Sequence, residues 1–271
     1  MPSMGAAARE WGGYCASMLR MSVQYESLPH AGMYLDAFGV RAPAELPGDQ
    51  VWPRRPGAFI RAMAVPLAVA VEEALDGAEA GEGSGLDAEA PPAGPKPLVR
   101  ELVVGQLGLV PKWVKSASDA KLRSTKLVNA RQETVTTTTA FRDAWLAGQR
   151  CIVPMQAFQE EDYRSGKAVH TRIARVDGRS MGAAGLWERW VSAEGEEIMS
   201  FCLLTVNANS HALIHRYQQP GAEKRMLAIL NEGSFDAWLQ ARPDKAKEFL
   251  RPYPAEKLTA NPIQKLHKVK A

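Results

Sequence analysis

The sequence predicts an α+β fold, a single domain built around an antiparallel, barrel-like β-sheet with flanking helices. Several short apolar stretches of strand character recur along the chain, and helical spacing is confined to a few brief segments. No internal repeat occurs, so the elements must form one mixed layer structure. With 271 residues, 46% of them hydrophobic and 23% charged, the chain is ordinary for a globular protein and long enough to bury a real core.

Taken in order, residues 1–20 are rich in small residues and carry no clear period. They are read as an N-terminal extension, or as an early start, because Met4, Met18 and Met21 are all possible initiators. A single domain is expected over 21–260. Met21 to Glu26 reads as extended, and 33–39 as a short helix stopped by Gly39. The prolines of Trp52-Pro53-Arg54-Arg55-Pro56 block regular structure there. Phe59 to Val71 and Leu98 to Val110 read as strands. Between them, 77–97 is Gly, Ala, Glu and Pro with little to bury, a flexible acidic insert. Lys112 to Lys126 is basic, a loop or ragged helix. Ala140 to Ala147 sets Phe141 and Trp145 on one helix face, and Cys151-Ile152-Val153 is a buried strand ended by Pro154. Val169 to Val176 and Met181 to Leu186 are expected to pair as a hairpin across Asp177-Gly178. Met199 to Val206 is another strand, and Ser234 is expected to cap a helix with Phe235, Trp238 and Leu239 inward. Residues 261–271 form a basic tail.

The densest chemistry lies in Leu127-Val128-Asn129-Ala130-Arg131-Gln132-Glu133-Thr134, followed by threonines at 136 to 139. On an extended backbone Asn129, Arg131 and Glu133 point to one side. That pattern fits a polar edge or solvent face, and equally a ligand-binding edge. Net charge is only +3, but its distribution is uneven: residues 71–95 hold seven acids and no Lys or Arg, whereas 100–150 hold nine Lys/Arg against four acids. A basic segment around the polar stretch suits a polyanion, and it also suits a solvated surface. No apolar run approaches the roughly 18–20 residues of a membrane span, so no membrane partner is expected. Cys15, Cys151 and Cys202 are few, odd in number and far apart, which suggests neither a disulfide framework nor a zinc site. No cofactor or metal is implied, a reducing cytosol is the simplest compartment, and a monomer is expected.

Five motifs in order carry a family resemblance: Gly108-Leu109-Val110-Pro111-Lys112-Trp113, Asn129-Ala130-Arg131-Gln132-Glu133-Thr134, Ala140-Phe141-Arg142-Asp143-Ala144, Arg150-Cys151-Ile152-Val153-Pro154 and Gly185-Leu186-Trp187-Glu188-Arg189-Trp190. In order and spacing they resemble the SOS-response-associated peptidase (SRAP) family, which includes the HMCES-type abasic-site shield proteins. The resemblance implies a single α+β domain, associated with the nucleoid in the cytoplasm, that binds single-stranded DNA at an abasic site. It further implies a covalent DNA–protein link through an N-terminal cysteine, closed as a thiazolidine, and self-removal of the initiator Met as the peptidase activity.

Residue by residue, the resemblance places Asn129, Glu160 and His215 around the lesion. Arg131, Lys112, Trp113 and Gln24 fall on the DNA strand. A guanidinium suits a phosphate, a Glu beside an amine suits proton transfer, and an exposed indole suits a base face. For each a structural reading also stands: Arg131 bonded to Glu133, Glu160 in an acidic turn with Glu161 and Asp162, His215 as a structural histidine, and Trp113, Trp187 and Trp190 as core. A related branch carries its His where this chain has Gln218. The main departure is at the start. Met21-Ser22-Val23-Gln24-Tyr25 stands where the family opens Met-Cys-Gly-Arg-Tyr, so Ser22 replaces the thiol and Gln24 an arginine. Leu107 likewise replaces a tryptophan. A cysteine thiol, with a pKa of about 8.5, supplies thiolate near neutrality; a serine hydroxyl needs a base. Weak, reversible crosslinking is therefore expected, with a non-catalytic single-strand binder as the alternative and a stand-alone hydrolase using Glu160 and His215 as a third reading.

Overall fold

Short strands dominate the described residues, 24–43, 45–63 and 98–263 of a computed structural model. In chain order they are β1 (Tyr25–Glu26), β2 (Gln50–Val51), β3 (Pro56–Ala62), β4 (Arg100–Leu107), β5 (Asn129–Arg131), β6 (Arg150–Met155), β7 (Ala157–Asp162), β8 (Val169–Arg175), β9 (Met181–Val191), β10 (Glu197–Asn207), β11 (Arg225–Leu227), β12 (Ile229–Leu230) and β13 (Leu258–Pro262). Among the described residues four α-helices accompany them: α1 (Ala31–Phe38), α2 (Ala117–Ser124), α3 (Thr139–Leu146) and α4 (Phe235–Gln240).

Strands β10, β4, β3, β6 and β9 pair in that order, and β9 pairs back to β10, closing a five-stranded barrel. The ring is antiparallel except where β4 runs parallel to β10. A second sheet, ordered β13-β8-β7-β1-β2, packs beside it. One continuous core joins the two, with Tyr25 and Phe158 from the second sheet and Phe59, Ile152 and Phe201 from the barrel all buried. The α+β, barrel-like expectation matches this architecture.

Several local expectations match as well. Gly39 ends α1 in the left-handed region (φ 68°) and donates its N–H to Leu35 O. Phe141 and Trp145 are buried on α3, as are Phe235, Trp238 and Leu239 on α4. Four expectations are corrected. Strands β8 and β9 do not form a hairpin: both edges of β9 are taken by β6, β10 and β12, and β8 pairs with β7 and β13. The Asp177-Gly178 turn instead passes the chain from one sheet to the other, with Arg175 bonded to Asp177 and Glu232. Pro154 does not end β6, which runs on to Met155. Strand β3 meets β6 only at Ile60–Ile152, so no ladder on that side needs a donor from Pro154. The Ser234 side chain does not cap α4, because its hydroxyl donates to Asn231 O at 2.7 Å. Finally, Glu133 lies in a turn after β5, so only Asn129 and Arg131 share a strand face. Residues 1–20, Ser22, the 77–97 insert and most of the basic tail lie outside the described residues.

Candidate functional site

The far half of β10 is flanked on one edge by β5 and on the other by β11. Leu203, Leu204 and Thr205 face Asn129, Ala130 and Arg131 in parallel register, while Thr205 and Asn207 face Leu227 and Arg225. Arg225 sits at the centre and is almost fully buried. Its two terminal nitrogens donate to Glu133 at 3.1 and 2.9 Å, to Glu223 at 2.8 Å and to Thr205 O at 2.8 Å. Burial disfavours its charge, yet the two carboxylates more than compensate, and its pKa rises. Burial pushes the Glu133 carboxyl up, but the Arg225 hydrogen bonds outweigh it and hold the group below its ordinary value.

Glu160 comes from the other sheet. It is 3% exposed on β7, and the Gln218 side-chain amide donates to its Oε1 at 3.1 Å. Gln218 bridges the two sheets. Its backbone N–H donates to Glu161 O at 2.7 Å, and its side chain exchanges two hydrogen bonds with the Arg225 backbone, at 2.6 and 3.1 Å. The adjoining Tyr217 forms an isolated bridge with Asp162. To make these bonds Gln218 takes φ 64°, a conformation strained for a residue with a Cβ and one that recurs at ligand sites. Lys224 completes the corner, its ammonium donating to Gln218 O and Gln219 O at 3.1 and 2.7 Å. Burial lowers the Lys224 pKa, and the Glu160 carboxylate offsets that only in part.

The remaining expected residues are placed as follows. The Oδ1 of Asn129 is buried and has no hydrogen-bond partner among the described residues, an acceptor at the start of β5. Arg131 is half exposed and pairs with Glu223 at 2.8 Å, not with Glu133. Lys112 is exposed and lies 3.4 Å from the buried Glu188 carboxylate. Trp113 is exposed, donates to Thr139 O at 3.3 Å and carries the Arg123 guanidinium over its ring at 4.9 Å. Glu188 faces Ser200, three residues before the Leu203 that faces Asn129, so Lys112 stands about 10 Å along β10 from Asn129. Trp190 is core, bonded to Val114 O, while Trp187 packs partly buried with Arg61 over its face. Gln24 donates to Gln50 at 2.7 Å, and its backbone oxygen accepts from Gln159 N, so the described chain starts next to the residue preceding Glu160. His215 is exposed on a 3-10 turn, with Nδ1 on His211 O at 2.8 Å. Among the described residues, the Gln218 amide bonds to Glu160 and the His215 imidazole does not. Among the described residues no group of three or more His, Cys, Asp or Glu is arranged to hold a metal.

The family model for the SOS response associated peptidase (SRAP) matches residues 61–269. The chain belongs to the SRAP family. It is 30% identical over 163 residues to the abasic site processing protein YoaM of Bacillus subtilis, covering 59% of this chain and 66% of that one. It is 25% identical over 186 residues to the abasic site processing protein HMCES of Gallus gallus, where the match covers 60% of this chain and 53% of the chicken protein. A solved structure from Bordetella bronchiseptica superposes with a TM-score of 0.73 at 36% identity, covering 90% of this chain and all of that one. This SRAP chain thus shares fold and sequence with proteins whose names place them at abasic sites. Sequence reasoning missed Arg225 and Glu223. The one signal for them was the charged run Glu223-Lys224-Arg225 leading into the apolar Met226-Leu227 of β11.

Proposed function

We propose that this SRAP chain is an abasic-site processing protein that binds abasic sites in single-stranded DNA. The observation that carries the proposal is the junction at Glu160: a buried carboxylate, next to Gln159 whose N–H donates to Gln24 O, at the meeting of two sheets whose rim bears Arg131 and Lys224. The unpartnered Asn129 Oδ1 supports it, since a sugar hydroxyl or an amine is the donor such an acceptor wants. In this reading Arg131 takes a phosphate, Trp113 takes a base face, and Lys112 and Gln24 line the strand.

Covalent chemistry depends on a free amine at Ser22, two residues before the first described residue. Once translation from Met21 or cleavage frees it, that amine condenses with the aldehyde of the ring-opened sugar. An imine forms and water leaves. The Ser22 hydroxyl then adds across the C=N bond to close an oxazolidine, its proton passing to the nitrogen. Glu160 is suited to carry the protons, and the α-amine, with a pKa of about 7.7–8.0, keeps roughly a tenth of its population neutral and nucleophilic at pH 7. Self-removal of the preceding Met is the peptidase activity that accompanies this reading. His215, exposed one turn before Gln218, is the solvent-facing imidazole of this segment; His215→Ala and Gln218→Ala together separate its contribution from that of the amide.

The test pairs intact mass with gel mobility. The chain is incubated with an abasic oligonucleotide, and the adduct is read as a denaturation-resistant shifted band. We expect salt-sensitive binding that favours the abasic strand over an intact one, a faint adduct in the wild type, and a strong one in Ser22→Cys begun at Met21. Equal binding to intact and abasic strands would favour the second reading, a strand binder without chemistry. An adduct undiminished in Ser22→Ala removes the Ser22 hydroxyl, and with it the oxazolidine, from the mechanism.

A further inference from the structure

Arg131 already has an anionic partner within the protein. Its Nη1 is held at 2.8 Å by Glu223 Oε2, and the pair lies at the surface, with Arg131 51% and Glu223 35% exposed. The other oxygen of Glu223, Oε1, accepts from Arg225 Nη1 at 2.8 Å and from Asn207 Nδ2 at 3.0 Å. The two oxygens therefore have different tasks. One roots the side chain in the protein, against a buried guanidinium that is itself fixed by Glu133 and Thr205. The other presents a single negative charge to an exposed arginine.

We infer that Glu223 is a built-in phosphate surrogate: its Oε2 occupies the place on Arg131 that a strand phosphate takes, so it sets how strongly a strand must bind to engage this arginine. The inference rests on the proposed function, in which Arg131 meets the DNA backbone. Exchange is undemanding for Glu223, since it keeps Arg225 and Asn207 when Arg131 turns to a phosphate. It does cost binding energy, because a charge-assisted pair must be broken before its equivalent is made. The consequence is selectivity. Backbone charge alone is partly cancelled at this position, and a strand that gains further contacts at the Glu160 junction overcomes the competition.

The experiment measures binding of a fluorescent oligothymidylate strand, with and without one abasic site, across a salt series. Glu223→Gln keeps the acceptor for Arg225 and Asn207 but removes the charge. It is expected to bind the intact strand at least about threefold more tightly at low salt, and its log–log salt slope is expected to steepen by about 0.7, the value for one added single-strand phosphate contact. Its preference for the abasic strand is expected to shrink. Unchanged or weaker binding by Glu223→Gln, with a wild type that binds, overturns the inference and leaves the proposed function standing. So does an equal gain in Glu197→Gln, which removes a carboxylate from another surface arginine, Arg189, or a gain that persists when Arg131 is also changed to Gln. No strand binding by any form overturns the proposed function itself. Urea midpoints for each variant confirm that folded proteins are compared.

Discussion

Arg225 carries more of the site than any residue of the polar stretch that dominates the sequence. It ties Glu133, Glu223 and Thr205 to one buried guanidinium while its backbone holds Gln218, and Gln218 holds Glu160. Replacing it with Met leaves the Glu133 carboxylate and the Thr205 carbonyl without this guanidinium and Glu223 with only Arg131 and Asn207. Both carboxylates reach solvent, which softens the loss, so about 2 kcal/mol of stability is expected to go, read as a lower urea midpoint. The same pair gives a pH signature. In the folded state burial raises Glu133 but Arg225 lowers it further, for a net value below the unfolded one. The unfolded chain therefore binds the proton more readily. The stabilisation is complete above the ordinary carboxylate pKa and is lost as pH falls through the folded value. Acid titration of the wild type should show this loss and Arg225→Met should lack it. Asn129 and Arg131 were legible as candidates because their side chains carry recognisable chemistry. Gln218 was weighed only as a missing histidine, since its left-handed backbone and its bonds to Glu160, Glu161 and the Arg225 backbone are set by the meeting of two sheets.

At the scale of elements, β9 shows how close approach is bought by absent side chains. A Cβ on Gly185 would stand 2.6 Å from Cys202 O and 2.8 Å from Cys151 Sγ, inside the closed barrel. The first of these is backbone and cannot swing aside. Gly185→Ala is therefore expected to cost about 2–3 kcal/mol. Gly32, within α1, meets nothing within 4 Å, so Gly32→Ala is expected to stabilise the protein by about 0.5–1 kcal/mol. Chemical denaturation of the two variants should give opposite shifts; a neutral Gly185→Ala would mean that the barrel is looser than its contacts indicate. Element identity was largely readable from local pattern. Pairing was not: the Asp177-Gly178 turn has the composition of a hairpin, yet competition for the edges of β9 from β6, β10 and β12 sends β8 to the other sheet.

Across the whole molecule, the barrel and the second sheet share one continuous core, so they should unfold together. Cys151 and Cys202 report on this. Both are fully buried; burial pushes the Cys151 thiol well up and Cys202 up to about 12. Neither presents thiolate at neutral pH while folded. Peptide-resolved labelling with an aromatic disulfide reagent should leave both unmodified at pH 8 and modify them in step with the loss of tryptophan fluorescence in urea. Labelling of Cys151 ahead of that transition would show that the sheets open separately.

By itself the sequence determined the class of fold, the run of most elements and the family, because hydrophobic period, turn residues and ordered motifs are local properties of the chain. It also placed Asn129, Arg131 and Glu160 among the residues to watch. Only the tertiary structure decided that five strands close into a ring, that Glu133 answers to Arg225 and Arg131 to Glu223, and that an amide and not an imidazole meets Glu160. Those outcomes are set by which strand edges remain open and by which buried charges must find partners across the fold. Neither is written in any single window of residues.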